Sequence, residues 1–147
     1  MKSPYGPLLS LRELEEKQAE ARLAEALHEE ARLEAELTTT RAARDAWLQY
    51  YLDDELGAID ATGLGALLAR LEAAESETSR RLDVAHRAGD DARSALLERQ
   101  RAREAVETLH MDLLEEAARR AARRAQAELD EIGASTASAR KESSDAR

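Results

Sequence analysis

Between Asp53 and Gly65 lies the single internal stretch where a long helix has to stop. It carries Gly57, Gly63 and Gly65, three of the six glycines in the 147 residues, and glycine is, after proline, the residue that most weakens a helix interior. No proline follows Pro7. On either side, runs rich in Ala, Leu, Glu, Arg and Gln extend from about residue 10 to 56 and from about 63 to 132, and these are the strong helix formers. The expected fold is therefore all-α: two long helices joined by a turn at about 57–63, forming an antiparallel coiled-coil hairpin whose second helix is the longer. Gly57 would close the first helix, and Asp60 or Thr62 would cap the second. Two helices enclose only a thin seam, which leaves no enclosed cavity of the kind small-molecule sites need.

Composition agrees with this architecture. Aromatics make up 3% of the chain, phenylalanine is absent and charged residues reach 36%, so a rounded core is out of reach and the make-up is that of a coiled coil. There is no cysteine, which excludes a disulfide framework. No apolar run approaches a membrane span or the core of a signal peptide, so a cytoplasmic protein without membrane insertion is expected.

The net charge of -9 is unevenly spread. Residues 11–56 hold thirteen acids and six bases, whereas residues 80–124 hold eleven bases and nine acids. Opposite signs favour pairing of the two helices and select orientation more than they add stability, since exposed ion pairs contribute only ~0–1 kcal/mol.

Ser10-Leu11-Arg12-Glu13 reads as a capping box, which starts the first helix near residue 10. Its apolar positions step through Leu23, Ala26, Leu33, Leu37, Trp47 and Tyr51, interrupted by Glu30, Thr40 and Arg44. The second helix keeps a cleaner alternation of four and three: Leu64, Leu68, Leu71, Glu75, Thr78, Leu82, Ala85, Gly89, Ala92, Leu96, Arg99, Arg103, Val106, His110, Leu113 and Ala117. That is a heptad rhythm with polar breaks. Folding about residue 60 sets Leu37 near Ala85. Residues 133–147, small and polar, are expected to be a tail without fold.

Three features are candidates for function. Trp47, Tyr50 and Tyr51 are spaced to share a helical face, where they either seal the end of the hairpin or present a partner-facing patch; Leu67 and Leu71 would lie across from them. Arg119, Arg120, Arg123 and Arg124 form a stripe of guanidinium groups. It is either a solvated face answered by Glu115, Glu116 and Glu128 or a contact for an acidic protein; nucleic acid fits poorly with the surrounding negative charge. His28, His86 and His110 are joined by no Cys and by no second His at ligand spacing, so no metal site or cofactor is expected. No phosphate-binding loop, nucleophile elbow or dinucleotide motif is present, which argues against an enzyme.

Leu11-Arg12-Glu13-Leu14-Glu15-Glu16-Lys17 opening the first helix, Trp47-Leu48-Gln49-Tyr50-Tyr51 before the glycine-containing turn, the longer second helix and Leu129-Asp130-Glu131 near its end together resemble the flagellar export FliJ family. They are similar also to the stalk proteins of injectisome type III secretion. The resemblance implies a non-enzymatic stalk similar to the two-helix part of a rotary ATPase gamma subunit. Its partners would be a hexameric export ATPase, a membrane export gate protein and export chaperones, and it would be peripherally associated with the inner membrane through that apparatus. By position, the gate contact falls on Trp47, Tyr50, Tyr51, Leu67, Leu71 and Ala74. The terminal end, which enters the ATPase ring in the family, is the one bearing the arginine stripe. Thr78 stands where the family can carry a basic or imidazole side chain. The competing classes are a self-associating coiled-coil spacer and a nucleic-acid-binding helical protein.

Overall fold

Ser3 caps a helix: its Oγ accepts from the Tyr5 amide at 3.2 Å. Pro4 follows in the position where a missing amide hydrogen costs nothing. Pro7 sits one turn in, and the Ser3 carbonyl accepts from the Gly6 amide at 3.3 Å. In this computed structural model, which describes residues 3–53 and 61–146, the first helix, α1, spans Tyr5–Leu52 and the second, α2, spans Ala61–Asp145. There is no strand among the described residues.

The start of α1 corrects the expected capping box. Ser10 lies inside the helix, and its hydroxyl donates to the Gly6 carbonyl at 3.2 Å; the earlier Ser-Pro pair takes the capping role. At the other end α1 stops at Leu52, where the Asp53 amide still donates to the Gln49 carbonyl at 3.0 Å. The expected caps Gly57 and Asp60 lie outside the described residues, whereas Thr62 and Gly63 are already within α2. Inside α1, Thr38, Thr39 and Thr40 are a run of weak helix formers. Each hydroxyl donates to the carbonyl four residues earlier, at 2.9–3.0 Å, so the run joins the helix without stranding a polar group.

Contacts divide the chain into two units. In the unit Leu14–Gln100, ion pairs join Glu15 to Arg99, Glu30 to His86, and both Arg41 and Arg44 to Glu75. Position on one helix rises as position on the other falls, so α1 and α2 run antiparallel. Leu64, Leu68, Leu71, Glu75, Thr78, Leu82, Ala85, Gly89, Ala92 and Leu96 are buried or half-buried along α2, as are Leu23, Ala26, Glu30, Leu33, Leu37, Thr40, Arg44 and Trp47 along α1. Two expected seam members stand outside it. Tyr51 is 50% exposed, and Arg99 is exposed while reaching Glu15 at 3.3 Å. In register, Glu30 meets Gly89, Arg44 meets Glu75, and Ala85 shares a groove with Leu33, close to the expected fold-back about residue 60. The core is thin, and the largest fully buried side chain is Leu33. Thr78, buried, donates to the Glu36 carboxylate at 3.4 Å.

The second unit comprises Met1–Glu13 and Arg101–Arg147. Here Val106 is buried, and Arg103, His110, Leu113 and Ala117 are half-buried, continuing the alternation of four and three. His110 Nδ1 and Ser3 Oγ lie 2.8 Å apart. Beyond Ala117 every described residue is exposed, yet α2 continues through the 133–145 stretch that the composition marks as a tail. Local bonds suit this continuation: Gln126 donates to Asp130 at 2.8 Å and Thr136 to the Ile132 carbonyl at 2.8 Å. No proline interrupts it.

Candidate interaction surfaces

The last turns of α1 present more apolar surface than the seam covers. Trp47, half-buried, is the seam residue, and Tyr50 meets it edge to face with ring centres 6.0 Å apart and planes at 88°. This is a favoured aromatic geometry. Tyr50 and Tyr51 turn outward, as do Leu48 and Leu52. On α2, Leu67 and Leu71 are half-buried and Ala74 is exposed. Burial thus divides the two readings of the cluster by residue: Trp47 belongs to the packing, while the tyrosines leave ring surface open. Sequence reasoning passed over Leu48 and Leu52, which follow Trp47 outside the heptad pattern but add to the same exposed end of α1.

One turn earlier the surface becomes ionic. Arg44 donates to Glu75 at 2.6 Å and to Asp45 at 3.1 Å. Its guanidinium is held above its ordinary pKa, first by the hydrogen bond to Asp45 and then by the Glu75 charge. Arg41 also donates to Glu75, at 2.9 Å. The carboxylate is therefore gripped by two guanidinium groups within the seam, and this sharp requirement helps to set the register of the pair.

In the other unit, Arg119 and Arg120 pair with Glu115 and Glu116 one turn back along the helix. Arg123 and Arg124 are exposed. Of the three glutamates expected to answer the stripe, Glu115 and Glu116 do so, and among the described residues no ion pair joins Glu128 to it. Arg120 and Arg124 rim an open groove floored by Leu113, Ala117 and Ala121. The four arginines thus lie on two adjacent rows, 119 with 123 and 120 with 124, and the second row borders the apolar groove.

The histidines differ from one another. His28 is exposed, His110 meets Ser3, and His86 reaches across to Glu30, whose side chain is 15% exposed. Glu34, one turn along α1, brings a third donor to within 4.8 Å of the other two. Sequence reasoning missed this group because it sought Cys, Asp or His partners near in sequence.

The family model described as the flagellar FliJ protein matches residues 1–142. The chain belongs to the FliJ family. Membership makes it a component of the flagellar export apparatus, in a family of structural and adaptor proteins rather than enzymes. FliJ-family proteins work in that apparatus with protein partners, which directs attention to the exposed tyrosines and arginines rather than to a pocket. No curated protein and no solved structure matches the chain. Among the described residues of this FliJ-family chain, no helix is long and apolar enough to cross a membrane.

Proposed function

We propose that this FliJ-family chain is the central stalk and adaptor of flagellar protein export, coupling a hexameric export ATPase to the membrane export gate and escorting export chaperones. It would work in the cytoplasm, held peripherally at the inner membrane by the export apparatus. The observation that carries this reading is the exposed aromatic end of α1, where Tyr50 and Tyr51 are 41% and 50% exposed beside half-buried Trp47. Aromatic anchors of this kind concentrate binding energy in interfaces. Leu67, Leu71 and Ala74 complete the gate-facing set. The exposed arginines 119, 120, 123 and 124 supply the ring-facing set, because a guanidinium fork pairs with carboxylates in two-point geometry and stays charged at any working pH.

The test is a Tyr50→Ala, Tyr51→Ala double variant in a pull-down against the cytoplasmic domain of the gate protein, read alongside helicity by circular dichroism. Binding falls by at least about tenfold, the loss of a strong anchor, while helicity is kept. A parallel loss of helix and binding would assign the aromatics to packing alone and overturn the gate reading.

A further inference from the structure

The mixed cluster Glu30, Glu34 and His86 has no part in either proposed docking surface. Two of its members stand one turn apart on α1 and the third comes from α2, with one donor atom of each lying within 4.8 Å of the other two. A first-row divalent ion holds nitrogen and oxygen donors at about 2.0–2.2 Å, a span that three donors so grouped can meet by side-chain rotation alone. An independent observation concerns Glu30 itself. Its Oε2 is sealed from solvent and has no hydrogen-bond partner, although Oε1 is engaged by His86. A buried carboxylate oxygen without a partner is a costly arrangement in a native protein. The buried Gly89 makes room for it: a Cβ at that position would stand 3.2 Å from the same oxygen. The sequence thus places a glycine inside α2 where the carboxylate enters the seam.

We propose that Glu30, Glu34 and His86 form a Zn2+ site that ties α1 to α2 within the unit Leu14–Gln100. Two carboxylates neutralise the ion, and a neutral imidazole supplies the borderline-soft donor that selects Zn2+ over Mg2+ or Ca2+. Ion binding at the Glu30 carboxylate offsets the cost of burying it. Three protein donors leave a coordination position for water, as in open zinc sites. Because the donors come from two helices, binding is linked to folding: the ion stabilises the paired state over the unfolded chain.

The experiment titrates the full-length chain, freed of metal with a chelator, with Zn2+ by calorimetry and with Co2+ by visible absorption; melting is followed by circular dichroism. The expected result is one ion per chain, d–d bands for bound Co2+, and a melting temperature that rises with Zn2+. Glu34→Gln, at an exposed position, weakens binding by at least about tenfold, the scale on which even supporting groups of metal sites matter, and removes the thermal shift without changing helicity. His86→Asn does the same, whereas Glu25→Gln, on the exposed surface of α1, leaves both unchanged. Absence of stoichiometric binding, or equal weakening by the Glu25 and Glu34 variants, overturns the site. Should His86→Asn disturb folding, the Glu34 and Glu25 pair decides the outcome.

Discussion

Arg44 meets Glu75 across the helix pair at 2.6 Å, and the same carboxylate accepts from Arg41 at 2.9 Å. An acid in a seam is tolerated only while its partners are in place. Glu75→Ala is expected to lower the melting temperature, because both guanidinium groups lose their partner and a gap opens. Glu75→Leu, which restores an apolar residue to the alternation of four and three, should recover part of the loss while loosening register. Thermal melts of the two variants, with a spin-label distance between Thr40 and Thr78, check both effects. Equal melting temperatures for all three proteins would remove the triad from the stabilising contacts.

Gly89 and Glu30 make a second coupled pair. Replacing a helical glycine by alanine normally stabilises by about 1 kcal/mol, but here the new methyl group crowds the Glu30 oxygen at 3.2 Å. Gly89→Ala in the otherwise native chain should therefore gain little or lose slightly. In a Glu30→Ala background the same change should show most of the helix gain, about 0.5–1 kcal/mol. A double-mutant cycle by chemical denaturation measures the difference, and perfect additivity would show that the carboxylate does not need the space.

The arginine stripe is tested by charge reversal. Changing Arg119, Arg120, Arg123 and Arg124 to glutamate is expected to weaken binding to the ATPase ring by at least about tenfold, in line with the cost of truncating close interfacial charge pairs, and to abolish stimulation of ATP hydrolysis. Binding to the gate should persist. The corresponding change to glutamine separates repulsion from lost attraction, and full stimulation by both variants would return the stripe to a solvated face.

Glu29 provides a pH test. Its carboxyl is held below the ordinary value, chiefly by the hydrogen bond from Arg32, with the Arg32 charge adding to the effect. Since the folded value lies below the unfolded one, the stabilisation is complete above the unfolded value and is lost as pH falls through the folded one. Helicity of the native chain should exceed that of Glu29→Gln at neutral pH and converge with it in acid. The difference should shrink with added salt, because the pair is exposed. A gap that is constant across the titration would assign the effect to helix propensity alone.

What could be read from the residues follows from the range of the forces involved. The seam of α2 was legible from Leu64 to Ala117 because burial imposes a period that side chains must obey, with Arg99 departing because its long stem lets the guanidinium reach Glu15 from outside. The start of α1 was misplaced because Ser10 satisfies a local pattern equally well inside a helix, although Pro4 after Ser3 is itself a local start signal. Register was legible to within a turn from the single glycine-containing break, although α1 and α2 each repeat too regularly to fix it alone. The aromatic end was legible in part: spacing placed Trp47, Tyr50 and Tyr51 together, but only the pairing of the helices could decide which rings stay open. Glu30, Glu34 and His86 were out of reach for the same reason. Glutamates one turn apart are common on such a helix, and His86 becomes their neighbour only once the two helices are aligned.

From Ala121 to Asp145 every residue of α2 is exposed, so no packed neighbour slows its amide hydrogens from trading with solvent. Protection in this stretch should be that of a solitary helix, weak and graded toward the end. A partner closing around it would slow that trade residue by residue, writing its footprint as a change in deuterium uptake. Occupancy of the unaltered chain is thus measurable, and a clamp on this segment would be distinguishable from one on the aromatic end by which amides fall silent.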